Sequence, residues 1–155
     1  MATAFDTFDQ YAFGQFDGQI EDRSHADVVS RIAEGSDIGY GLGVIDTGQR
    51  TAKLPTGSEV STGITVRETV RDNAAGDNPT VVYPQGETMS VIRAGRVWTT
   101  TADGAAVGDS VYVVPSTGAI TNAADGGTNI QIPNAAFKSA ASAGGRALIQ
   151  LNGSE

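Results

Sequence analysis

"AEGSDIGYGLGVIDTG", residues 33–48, opens like a nucleotide-binding fold: Gly39, Gly41 and Gly43 alternate beside an apolar run, and Thr47-Gly48 marks a turn. The dinucleotide pattern places its third glycine where this chain has Val44, and no helical stretch follows to aim an N-terminus at a pyrophosphate. No Gly-Lys-Ser/Thr element occurs anywhere. A second stretch, "ADGAAVGDSVYVVPSTG" at residues 102–118, repeats the plan with one residue of slack: Ala, acid, Gly, two residues, Ile or Val, Gly, an apolar run, then Thr-Gly. A phosphate loop is not expected twice around unlike centres, whereas a structural corner is. The glycines therefore read as sites of positive φ or of close strand approach. The repeat predicts Gly35 and Gly104 at equivalent corners, with Ile38 and Val107 both facing the core.

Outward from these corners the chain reads as strands. "RTAKL", "VSTGITVRE", "TVVY", "ETMSVIR", "RVWTTTA", "DSVYVVP", "AAFKSA" and "RALIQLN" are short, rich in β-branched and aromatic residues, and bounded by Gly, Pro, Asn or Asp. "DVVSRIA" fits a strand or a single helical turn. Strands recurring at intervals of about ten residues, without a long amphipathic helix, predict an all-β barrel or sandwich. In "GRVWTTT", alternation puts Arg96, Trp98 and Thr100 on one face and Val97 and Thr99 on the other. "RETVRDNAAGDNP" and "TNAADGGTN" read as exposed loops.

With 155 residues the chain is expected to form one domain that buries roughly 70% of its unfolded surface. It has no cysteine, so packing and backbone pairing must supply stability. Neither a signal peptide nor an apolar run near the ~20 residues of a membrane helix is expected. The net charge of −8, with ten scattered basic residues, argues against nucleic acid as a partner.

Residues 1–26 stand apart. They carry four of the five Phe (Phe5, Phe8, Phe13, Phe16) and Tyr11, interspersed with Asp6, Asp9, Asp17, Glu21 and Asp22, while Gly14 and Gly18 break any helix. The rings can cap the domain's own core, or the segment can be an arm that packs on a neighbouring subunit. The expectation carried forward is an extended arm over 1–26 and a β-barrel over 27–155. In it Phe5, Phe8, Tyr11, Phe13 and Phe16 are the contacts with a neighbouring subunit.

Catalytic signals are weak. His25 is the single histidine, with Ser24 and Asp27 only as sequence neighbours, where a Ser-His-Asp relay needs groups from separate elements. A zinc site lacks donors, and Asp72, Asp77 and Asp125 lack the alternation of a calcium loop. No catalytic residue, cofactor or metal is expected. Asn152-Gly153-Ser154 matches a glycosylation sequon without a secretion signal to support it.

Laid out in order, "GQIEDRSHADVVSRIAEGSDIGYGLGV", "AKLPTG", "GITVRETV", "YPQGETMSVIRAGRVWTTT", "GDSVYVV" and "IPNAAFKSAASAGGRALIQLN" resemble the phage structural cement, or capsid decoration, family. The likeness covers nearly all of the chain after the aromatic segment; that segment and "TNAADGGTN" depart from it. The resemblance implies a β-barrel, tulip-like or jelly-roll domain with no enzymatic activity. It implies a virion protein, assembled in the host cytoplasm, that binds the outer capsid surface and cements adjacent major capsid protein subunits. Self-association is implied too, with a trimer at local three-fold positions favoured over a dimer, and neither nucleic acid nor membrane as partner. Two rivals differ in class: a tail or fibre-tip module that binds carbohydrate, marked by an aromatic platform, and a glycan-processing enzyme, marked by two carboxylates in a deep cleft.

Overall fold

One long strand organises the molecule. In the computed structural model, which describes residues 16–57, 59–67 and 82–152, the stretches "ETMSVIR" and "RVWTTTA" fuse into a single 13-residue strand, Thr88–Thr100. In chain order the strands are β1 (Asp27–Ala33), β2 (Ile38–Gly39), β3 (Gly43–Asp46), β4 (Thr51–Lys53), β5 (Gly63–Thr65), β6 (Val82–Tyr83), β7 (Thr88–Thr100), β8 (Ser110–Val113), β9 (Ile120–Thr121), β10 (Ile130–Phe137) and β11 (Arg146–Asn152). "DVVSRIA" is thus a strand, and "TNAADGGTN" contains one short 3₁₀ turn at Asp125–Gly127. Most of "RETVRDNAAGDNP" lies outside the described residues.

The protein is an all-β barrel built as two closed rings that share β7. The first ring runs β1–β4–β3–β5–β7 and closes because the N-terminal half of β7 pairs with β5 on one side and β1 on the other. The second runs from the C-terminal half of β7 through β11, β10, β8 and β9. It closes where Thr101 bridges Ile120, with the Ala102 amide donating to the Ile120 carbonyl at 2.8 Å. Both rings follow one connectivity. A first strand pairs in parallel with the return strand of a hairpin: β1 with β4 at Ala33↔Ala52, and the end of β7 with β9 at Thr101↔Ile120. Every other contact around either ring is antiparallel.

That shared plan is the physical source of the repeated motif. Both Thr-Gly pairs, 47–48 and 117–118, sit in the turns of the corresponding hairpins β3–β4 and β8–β9. The equivalent corner bonds are Glu34 N–H to the Ala52 carbonyl and Ala102 N–H to the Ile120 carbonyl. Structural register is therefore one residue off the alignment of Ala33 with Ala102. Gly35 and Gly104 both have positive φ, 83° and 88°. The expectation for the hydrophobic pair is corrected: Ile38 is fully buried in β2, whereas Val107 is 67% exposed. Where the first ring has the β2–β6 pair, the second has only the isolated bridge Ala105↔Ala141, so Val107 falls in a turn before β8.

The core divides as the rings do. Val44, Ala52, Met89 and Val91 pack with Tyr40 and Tyr83 in the first, where the two Tyr rings meet edge-on at 5.2 Å. Val97, Val111, Val113, Ile120, Phe137 and Ile149 fill the second, joined by Ile64 and Ile92 from the first ring's wall. A bulge opposite Asp27/Val28, where β1 skips Arg93, changes the parity of β7. Met89 and Val91 face one core, Ile92 and then Val97 the other. The rings abut at Gly43. A Cβ there would stand 2.4 Å from Val113 Cγ2, so close approach of two walls, not a ligand, explains this glycine.

An ion pair links β1 to β3 across β4. Arg31 donates from Nε to Asp46 Oδ1 at 2.9 Å and from Nη2 to Oδ2 at 3.1 Å, and from Nη1 to its neighbour's Ser30 carbonyl. Asp46 holds the Arg31 guanidinium above its ordinary pKa, chiefly through those hydrogen bonds.

Candidate functional site

Of the five aromatic residues expected to make contacts, Phe5, Phe8, Tyr11 and Phe13 lie outside the described residues. Phe16 is half-buried, and the Arg67 guanidinium stacks over its ring at 3.9 Å from the centroid. From there the chain is stitched to β7. The Gly18 amide donates to the Trp98 carbonyl and the Trp98 amide to the Gln19 carbonyl, both at 2.8 Å, and Ile20 bridges Val97. Asp17 accepts from Thr100 Oγ1 at 2.7 Å and pairs with Arg146 Nε at 3.2 Å. Gly18 has φ +77° and its missing Cβ would stand 2.6 Å from the Arg67 amide nitrogen, so only glycine threads between β7 and residues 65–67. The expected boundary at residue 26 thus cuts through the barrel wall. An arm is a proposal for residues 1–15 alone.

Trp98 lies where alternation put it, half-buried on the outer face, with Val97 and Thr99 buried on the other. Tyr83, Tyr40 and Phe137 are core residues, and the Tyr83 hydroxyl donates to the Val66 carbonyl.

A serine, a histidine and an aspartate do meet at Asp22, Ser24 and His25, a grouping the sequence reading missed because it considered Asp27. Ser24 Oγ lies 2.6 Å from Asp22 Oδ1 and 2.8 Å from His25 Nδ1, and that nitrogen lies 3.3 Å from Asp22 Oδ2. A relay needs serine and aspartate on opposite ring nitrogens, with the aspartate buried. Here both face Nδ1 and the Asp22 side chain is 56% exposed. The trio caps the one-turn 3₁₀ helix Arg23–His25, with the Ser24 amide donating to Asp22 Oδ1. It is a cap.

Beside it runs an open groove of about 660 Å³ lined by Glu21, Asp22, His25, Arg96, Gln150 and Asn152 among others. Its two carboxylates do not form an acid–base couple. Glu21 pairs with Arg96 at 3.3 Å, and Asp22 is held by Ser24 and His25. Among the described residues no group of three or more His, Cys, Asp or Glu could hold a metal.

The exposed carboxylates are turn anchors. The Ser24 hydroxyl and amide, with His25, lower the Asp22 pKa to about 2. The Thr56 hydroxyl and the backbone amides of the 56–59 turn do the same for Glu59, also to about 2. Both folded values lie below the ordinary 3.8 and 4.5, so each anchor is in place above its ordinary value and is lost as pH falls toward 2. Amide exchange at Ser24 and Gly57 should accelerate as pH drops through this window while the barrel amides stay protected, after correction for the intrinsic pH dependence. A Glu59 carboxyl that titrates near 4.5 by carbon NMR would contradict the turn geometry.

In this double-ring β-barrel the exposed carboxylates brace turns and the segment Gly18–Glu21 is sewn to β7. Comparison with known proteins gives the family. The model of the structural cement protein family (E217 gp24/Pam3 gp6) matches residues 7–152, and the chain belongs to that family. It is a virion structural protein of the phage capsid. Its fold is similar to a chain in the capsid of Myoviridae phage XM1, with TM-score 0.69 and 18% identity over 88% of this chain and 89% of that one. A further match, at TM-score 0.45 and 13% identity, is the head fiber gp8.5 N base of bacteriophage phi29, covering 84% of this chain and 98% of that one. No curated protein matches.

Proposed function

We propose that the protein binds the outer surface of the assembled capsid, after assembly in the host cytoplasm, and cements adjacent major capsid protein subunits without catalysing a reaction. Family membership over residues 7–152 carries this reading. Many modest contacts repeated over an icosahedral shell sum to a large stabilisation. An acidic protein is suited to the outside of the shell, away from the genome. Residues 1–15 act as the arm: their rings anchor in pockets of a neighbouring subunit, and Asp6 and Asp9 meet basic groups there. The rigid attachment of Phe16–Glu21 to β7 gives this arm a fixed origin.

Purified protein added to undecorated shells should sediment with them and appear as external density by electron microscopy. Decorated shells should withstand several degrees more heat before rupture, as binding only the intact lattice stabilises it by mass action. Protein that stays in the supernatant, or shells no more heat-resistant when coated, would overturn the cementing role.

A further inference from the structure

We infer that the N-terminal half of β1 is an open sheet edge that receives an extended strand of the shell protein. The inference rests on the capsid-binding reading above and assigns it a contact surface separate from the arm.

Backbone direction along β1 is set by two bonds. The Ala33 amide donates to the Glu87 carbonyl on the β7 side, and the Ile32 amide donates to the Arg50 carbonyl on the β4 side. Odd-numbered backbone groups therefore face β7 and even-numbered ones face away. β4 pairs with β1 only at Ile32↔Thr51 and Ala33↔Ala52. Beyond that, among the described residues, the amides of Val28 and Ser30 have no hydrogen-bond partner, while the Ser30 carbonyl is taken by Arg31. On the outer face of the same stretch Val28 is 41% and Ile32 38% exposed. Unpaired amides beside β-branched apolar residues form a template for strand addition. No proline or lysine guards this edge.

A second copy's β1 does not fit the template. The register that pairs the free groups, Val28 with Ser30 of the other copy, sets that copy's Asp27 level with Arg31. Arg50 already occupies that level, because Thr51 is level with Ile32. Two chains of net charge −8 also repel each other. The chemistry favours a different chain: an extended segment whose carbonyls accept from Val28 and Ser30, with alternate apolar residues against Val28 and Ile32. A lysine or arginine at its end would meet the exposed Asp27 carboxylate, which has no partner among the described residues.

Proline at residue 30 tests this. Ser30 N–H makes no bond among the described residues, so Ser30→Pro removes none of their bonds and is tolerated as at other edge positions. It blocks an added strand. Ser30→Ala keeps the amide and serves as control. On undecorated shells, Ser30→Pro should bind about tenfold or more weakly, with an unchanged melting temperature, and Ser30→Ala as wild type. In the wild-type protein, amide exchange at Val28 and Ser30 should be fast when free and slow on the shell; this reading stands even if the proline variant fails to fold. Wild-type affinity in Ser30→Pro, or exchange unchanged on the shell, overturns the edge contact while capsid binding survives. Protection already present in the free protein, lost with Ser30→Pro, assigns the edge to a second copy and overturns the shell strand. Wild-type protein that ignores shells overturns both readings.

Discussion

Deleting residues 2–13 should leave the melting temperature nearly unchanged and weaken binding to undecorated shells by about a hundredfold or more. The size follows from anchor energetics: a few rings in pockets supply on the order of 2 kcal/mol each, so losing two of Phe5, Phe8, Tyr11 and Phe13 already suffices. Where the deletion stops matters. Extending it through residue 17 removes the Phe16 ring from Arg67 and the Asp17 carboxylate from Thr100 and Arg146. That longer deletion should lower the melting temperature as well, since it unpicks the wall beside β7. The two truncations, read by calorimetry and by shell binding, separate an arm from a structural strand. Unfolding by the shorter deletion would assign the rings to the domain's own core. Unaltered shell affinity would leave the arm without a role.

Most of the fold was legible because local pattern and global architecture agree. β4, β8 and β11 fall within stretches read as strands, β1 is the stretch left open between a strand and a helical turn, and the two faces of "GRVWTTT" alternate as their burial requires. What was not legible depends on partners far along the chain. The fusion of two stretches into β7 turns on β1 and β5 flanking one half and β11 the other. β9 has two residues, too few to show a period, yet it closes a ring. Arg31 and Asp46 are 15 residues apart and meet only because β4 lies between their strands. Val107 looked like Ile38 by motif, but burial follows strand membership, and only Ile38 has a strand partner, Tyr83. The open β1 edge follows from the shortness of β4, which no single residue announces.

The two rings share one connectivity, and their meeting can be tested directly. Gly43→Ala should destabilise the protein by about 1–3 kcal/mol, the usual cost of overpacking, which for a chain of this size lowers the melting temperature by very roughly 3–10 °C. The added Cβ would lie 2.4 Å from Cγ2, 2.7 Å from Cγ1 and 3.1 Å from Cβ of Val113. Rotation about χ1 cannot clear it, because both methyl positions and the branch carbon are in the way. The backbone cannot yield freely either, since the Gly43 amide donates to the Gly118 carbonyl at 2.9 Å, tying the first ring to the β8–β9 turn. Val113→Ala alone should also destabilise, as it opens a cavity among Val111, Ile120 and Phe137. Combined, the two substitutions should cost less than the sum of their separate effects by about 1 kcal/mol or more, since the new methyl fills the space the valine leaves. Additive losses in chemical denaturation would mean that the rings do not press on each other at Gly43. Coupling would show that Gly43, the last glycine of "GYGLGVI", is there to let one wall of the barrel lie against the other.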